Sequence, residues 1–172
     1  MEQESKTEAA TAKPAVTAET RVGEIMTKNV ITARAASGVT DVIQLMSRHH
    51  ITGLPVVDDD NRLIGVVSES DIIGKGGDTV GEIMTSGSYT VTEDTTLGDA
   101  AEVLLRRRIR RLPVVRGENQ LVGLLSRSDL IDFFARHVWT CTWCGKGYRG
   151  FFAPSSCSQC GGETFTIKVP EE

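Results

Sequence analysis

Four cysteines, Cys141, Cys144, Cys157 and Cys160, stand in two pairs with the spacing C-x2-C-x12-C-x2-C. Two such knuckles can bring four thiolates around one ion in a tetrahedral array, the arrangement of a structural zinc site. Gly145 and Gly161 follow the second cysteine of each pair, where a tight turn needs a permissive backbone. In a reducing compartment, paired cysteines of this kind point to metal ligation rather than to a disulfide framework. All-sulfur tetrahedral sites accept zinc or iron, so zinc is the expectation and iron the alternative. Four protein ligands close the metal shell, which argues for structure rather than hydrolysis.

A second pattern occurs twice, as Ser68-Glu69-Ser70-Asp71 and Ser126-Arg127-Ser128-Asp129. A carboxylate so placed can accept both protons of a vicinal diol through charge-assisted hydrogen bonds. Serines beside the exposed N–H groups of a helix start suit an anion. The same residues also make an ordinary N-cap, with the aspartate favoured by the helix dipole. The run Leu104-Leu105-Arg106-Arg107-Arg108-Ile109-Arg110-Arg111 is the sharpest charge feature. It reads either as a solvated helix end or as a phosphate contact through Arg111, where the first copy of the pattern has only Gly53. His49 and His50 stand at the corresponding place in that first copy, with a weak phosphate or partner role, and His137 is given none.

The elements that position these residues follow from an internal repeat. Residues 23–27 and 81–85 both read GEIMT, and the same offset of 58 carries Leu54-Pro55-Val56-Val57 onto Leu112-Pro113-Val114-Val115 without insertion. Val39, Val42, Ile43 and Met46 fall on one helical stripe, repeated by Leu97, Ala100, Ala101 and Leu104, with Ser37 and Thr95 as expected N-caps. Two short apolar strands follow each helix, separated by a polar turn, and a short helix begins near each aspartate. The order in each copy is strand, helix, strand, strand, helix. A unit of about 50 residues buries too little surface to stand alone, so the two copies are expected to pack sheet against sheet around one core. Gly74-Lys75-Gly76-Gly77-Asp78 reads as the flexible joint between them.

The repeated IMT, the threonines Thr32 and Thr90, the LPVV block and the closing Gly-x-x-Ser-x-Ser-Asp resemble a pair of CBS domains, the cystathionine β-synthase type motif, assembled as a Bateman module. That resemblance implies a mixed α/β (α+β) fold of two β-α-β-β-α repeats. It further implies a cleft for an adenosine-containing ligand such as AMP, ADP, ATP or S-adenosylmethionine. Carried over position by position, ribose falls to Asp71 and Asp129, and phosphate to Ser68, Ser70, Ser126 and Ser128. Adenine falls to the Val30–Thr32 segment, including Ile31 and Thr32, and to Tyr89 and Thr90. Arg111 falls where the family places basic residues that reach into the cleft. A disc-shaped homodimer is the implied assembly. Residues 138–169 resemble a zinc ribbon or a rubredoxin-like fold, although Ser158 replaces the proline that rubredoxins commonly carry after the third cysteine. Trp139, Trp143, Tyr148, Phe151, Phe152 and Phe165 gather there to build a mini-core or a partner-binding face.

The expected divisions are a disordered tail over 1–20, CBS repeats over 21–74 and 79–136, and the ribbon over 138–169. A net charge of −4, and arginines without interleaved aromatics, argue against nucleic acid as partner. No apolar run reaches the roughly 18 residues of a membrane span, and the first twenty residues lack the apolar core of a secretory signal. A cytoplasmic location is therefore expected. No phosphate loop or nucleophile-base constellation accompanies these motifs, so the reading is a non-catalytic regulatory protein with an unidentified protein partner. An iron-binding, rubredoxin-like redox protein governed by the CBS pair is the alternative.

Overall fold

The structure is a computed structural model that describes residues 20–136, 138–149 and 153–168. The expected tail up to residue 19, His137, Phe151 and Phe152 lie outside them.

The first half comprises α1 (Val22–Ile25), α2 (Val39–His49), β1 (Gly53–Val57), β2 (Leu63–Ser68) and α3 (Glu69–Gly74). The second comprises α4 (Val80–Ile83), β3 (Thr85–Ser86), α5 (Leu97–Arg106), β4 (Arg111–Arg116), β5 (Gln120–Ser126) and α6 (Arg127–Arg136). In each half the strand expected ahead of the long helix shrinks to one parallel bridge, Ala33 to Val56 and Val91 to Val114. The helical stripes form as the spacing requires: Leu97, Ala100, Ala101 and Leu104 are buried, as are Val42 and Met46, whereas Ile43 turns outward.

The caps sit one residue later than expected. Gly38 and Thr96 occupy the cap positions, and Thr96 Oγ1 accepts from Asp99 N at 3.1 Å. Ser37 and Thr95 instead accept from the backbone N–H three residues earlier, at Arg34 and Thr92. A hydroxyl at a loop-helix junction can close either turn, and here it closes the one before the helix.

The expectation of one core shared between facing sheets is corrected by an exchange of leading segments. The segment opening the first half, with Val22 and Met26, packs into the core of the second around Leu97, Leu104, Leu112 and Leu125. Reciprocally, Val80, Ile83 and Met84 pack with Val42, Met46, Leu54 and Val67 of the first half. Thr27 bonds Leu124 in both directions at 2.9 Å, and β3 extends the β1-β2 sheet by pairing Thr85 with Val66. Gly123 and Gly65 make room for this exchange. A Cβ on Gly123 would strike Met26 Sδ, and one on Gly65 would lie 2.8 Å from the Thr85 carbonyl. Two cores result, each completed by the other half, joined by a small seam of Val57, Leu63 and Leu121. Asn61 and Asn119, both left-handed (φ 61° and 67°), stitch the seam by donating their side-chain amides to Leu121 O and Leu63 O.

The last unit is a three-stranded sheet ordered β7-β6-β8, with β6 Val138–Cys141, β7 Gly147–Tyr148 and β8 Phe165–Lys168. Trp139 is buried there, Tyr148 and Phe165 meet edge to face at 5.7 Å, and Trp143 is 71% exposed. Arg149 Nη1 donates to Ala135 O at 2.7 Å, tying this unit to the end of α6. Among the described residues, no helix is long and apolar enough to cross a membrane.

Candidate functional site

Two cavities of about 550 and 530 Å³ open between the halves, related by the repeat. Both lie in the size range of small-molecule sites. The first is bounded by Ser68, Ser70 and Asp71 of the first half, and by Thr85, Tyr89 and Arg108 of the second. The other pairs Ser126, Ser128 and Asp129 with Thr27, Ile31 and His50. The exchange of leading segments dictates this crossing, so each aspartate faces the opening stretch of the opposite half. Thr32 and Thr90 lie one residue beyond Ile31 and Tyr89 and border neither cavity.

The strand-to-helix corner positions each aspartate. In the first half, Ser68 donates from its backbone N (2.9 Å) and its Oγ (2.6 Å) to Asp71 Oδ2. In the second, Ser126 N and Oγ donate to Asp129 Oδ2 at 2.6 and 2.7 Å. Capping and orientation of the carboxylate are therefore one arrangement: the serine hydroxyl holds the aspartate while the aspartate satisfies the serine N–H. The remaining oxygens differ. Asp71 Oδ1 accepts from Lys75 Nζ at 2.7 Å and Thr85 Oγ1 at 3.0 Å. Asp129 Oδ1 accepts from no described residue. Burial by itself would raise the Asp71 pKa, but the bonds from Lys75, Ser68 and Thr85 outweigh it and hold the carboxyl below its ordinary range.

Arg111 borders both cavities. Its Nη2 donates to Thr52 Oγ1 at 2.6 Å, and the absence of a side chain at Gly53 leaves the room, since a Cβ there would sit 3.1 Å from Arg111 Nη1. Burial, and next the Arg110 cation, push the Arg111 pKa down, with Glu69 offsetting part of the effect. Arg110 itself pairs with Glu69 at 3.1 Å. The rest of the arginine run disperses: Arg106 pairs with Glu102 at 2.7 Å, and Arg107 stacks 4.6 Å over the Tyr89 ring. Arg108 and His50 occupy equivalent left-handed positions on the two cavity rims (φ 54° and 53°). Sequence reasoning missed Lys75, Thr85 and Thr52. Lys75 carried a signal, because the repeat places Phe133 opposite it.

The four cysteine sulfurs all lie within 4.8 Å of one another, with Cys141 to Cys160 at 3.6 Å and Cys144 to Cys157 at 3.5 Å. With metal–sulfur bonds of about 2.3 Å, a tetrahedron has edges of about 3.8 Å, so the cluster fits one ion. Each pair is a closed knuckle: Gly145 N donates to Cys141 O and Gly161 N to Cys157 O, with both glycines left-handed (φ 76° and 75°). Tyr148 Oη donates to Cys157 Sγ at 3.1 Å and brings that thiol down to about 6. The Gly162 N–H lowers Cys160, but the thiols around it, Cys144 foremost, together with burial raise it to about 12.

The CBS-domain family model matches residues 22–77 and 80–136, covering both halves of the cavity-forming unit. The chain belongs to the CBS-domain family. Among its relatives is the chloroplastic CBS domain-containing protein CBSX1 of Arabidopsis thaliana, 32% identical over 146 residues, a match covering 64% of this chain and 62% of that protein. Another is inosine-5'-monophosphate dehydrogenase of Halobacterium salinarum, 37% identical over 110 residues and matched over only 22% of its length. The chain thus spans less than two thirds of these curated relatives. The crystal structure of Arabidopsis CBSX2 in complex with AMP is 34% identical, with a TM-score of 0.64, covering 66% of this chain and 94% of that one. The CBS domain pair of protein MJ0100, in complex with 5'-methylthioadenosine and S-adenosyl-L-methionine, is 28% identical with a TM-score of 0.64, covering 67% of this chain and 96% of its own.

Proposed function

We propose that this CBS pair is a non-catalytic sensor that binds an adenosine-containing ligand (AMP, ADP, ATP or S-adenosylmethionine) between its halves. The observation that carries the reading is a carboxylate on the wall of a cavity, oriented by its own serine, with Arg111 bordering the same cavity. A carboxylate suits vicinal ribose hydroxyls, and a guanidinium suits a phosphate. Support comes also from the relatives whose crystal structures hold AMP or S-adenosyl-L-methionine. Tyr89 and Ile31 offer flat or apolar surface to the base. Binding alters signalling only to the extent that the ligand prefers one arrangement of the halves. The ribbon, taken as residues 138–169, holds zinc in a closed four-thiolate shell, and Trp143 presents a face to a protein partner. A cytoplasmic homodimer is the assembly this reading expects.

A thermal-shift panel of these four ligands on the metal-replete chain tests the proposal. At a hundred times Kd, a true ligand stabilises by about 2.7 kcal/mol. Absence of any shift across the panel overturns the sensor. The all-sulfur donor set also suits iron, so metal analysis of protein purified without added metal decides between zinc and a coloured, rubredoxin-like iron centre. Light scattering reads the dimer.

A further inference from the structure

The repeat builds two cavities of nearly equal size, and among the positions where they differ, one bears directly on the carboxylates. Lys75 in the joint between the halves has Phe133 as its counterpart. Its ammonium is held at 2.7 Å from Asp71 Oδ1, 2.7 Å from Ile83 O and 3.3 Å from Thr85 Oγ1. The segment read from sequence as a flexible joint is thus pinned at its lysine. With two donors on each oxygen, Asp71 has filled the roughly four acceptor directions of a carboxylate. A ribose arriving there must displace a cation that is tethered to the chain. Among the described residues, Asp129 carries donors only on Oδ2, both from Ser126. Phe133 offers no hydrogen-bond donor to Oδ1, and Thr27, the counterpart of Thr85, makes no side-chain bond to Asp129 among the described residues. Arg111 borders both cavities, so one guanidinium is available for one phosphate at a time.

We infer that the two cavities are unequal: the Asp129 cavity is the ribosyl site, and Lys75 is a built-in occupant of the hydroxyl-binding corner in the Asp71 cavity. The chain accordingly binds one ligand, and the joint between the halves sets that number. This rests on the adenosine reading proposed above.

The test is calorimetric titration of the full, metal-replete chain with AMP and, separately, with S-adenosylmethionine. Wild type takes up one ligand per chain. Lys75→Ala adds a second, weaker binding event, and the Lys75→Ala/Asp71→Asn double variant loses that event again. Asp129→Asn weakens the first event about 10- to 100-fold, the range for losing a charged hydrogen-bond acceptor. Lys75→Ala leaves Asp71 its Ser68 and Thr85 donors, so the variant loses some stability but folds, as its helical circular dichroism checks, and its stoichiometry decides the matter even where Asp129→Asn destabilises the protein. Two equal sites in wild type, or a single site in Lys75→Ala, overturns the inference while leaving the sensor reading standing. Uptake of neither ligand by wild type or Lys75→Ala overturns the adenosine reading, and this inference with it.

Discussion

Replacing Arg111 by methionine separates what this side chain does for stability from what it does for a ligand. Its guanidinium is largely enclosed between the cavities, donates to Thr52 Oγ1, and has no carboxylate within 4 Å among the described residues, because the nearby Glu69 is taken by Arg110. An enclosed cation with one neutral partner has lost much hydration for one hydrogen bond, and replacing such a group by an apolar side chain of similar length is often neutral or stabilising. The unfolding midpoint of the free protein therefore stays level or rises in Arg111→Met. A phosphate supplies the missing counter-charge, and a hydrogen bond to a charged group contributes about 1.5–3 kcal/mol. The variant accordingly binds AMP about 10- to 100-fold more weakly. Adenosine, which lacks the phosphate, binds wild type and variant alike. Isothermal titration with AMP and adenosine, alongside thermal melts without ligand, gives all the needed numbers. If AMP and adenosine lose affinity equally, or if AMP loses none while the free protein melts earlier, Arg111 is a structural residue and the phosphate assignment fails.

Gly65→Ala places a Cβ 2.8 Å from the Thr85 carbonyl, and crowding of this kind costs about 1–3 kcal/mol against about 0.4–1 recovered from the unfolded chain, so the melting midpoint falls by a few degrees. An unchanged midpoint would contradict the pairing of β2 with β3. The folded-state pKa of Asp71 lies below the unfolded one, so its contribution to stability is complete above the ordinary aspartate value of about 3.9 and is lost as the pH falls through the lower folded value. Asp71→Asn flattens that acid limb in denaturation curves measured across pH; an unaltered limb assigns it to other carboxylates. Both tryptophans, Trp139 and Trp143, belong to the ribbon, so fluorescence excited selectively at tryptophan reports it alone. On the zinc reading proposed above, chelation shifts tryptophan emission to the red as buried Trp139 meets water, while the helical circular dichroism of the CBS pair persists. Unshifted emission in metal-free protein would show that the ribbon holds together without an ion.

Much of the site was legible from residue order because the information is local. The offset of 58 residues fixes two copies of one unit, the apolar stripes fix α2 and α5, and the C-x2-C spacing brings thiolates together within a few residues of chain. Ser-x-Ser-Asp sets its aspartate at the corner for the same reason: serine and carboxylate are three residues apart where strand meets helix. Contacts between distant segments were decided by packing. Pattern alone assigned each leading segment to its own repeat, yet Met26 and Met84 complete the opposite cores, because the vacant faces of Gly123 and Gly65 lie there. That exchange sets Tyr89 on the cavity of Asp71 and Ile31 on the cavity of Asp129, and it brings Thr85 onto the carboxylate oxygen that Lys75, four residues on, already meets. Residue order alone thus determined the repeated unit, its corner chemistry and the cysteine knuckles; the tertiary structure decided which half faces which, and which aspartate keeps an oxygen without a donor among the described residues. Local periodicity constrains groups a turn or a strand apart, whereas groups dozens of residues apart meet only where the cores close.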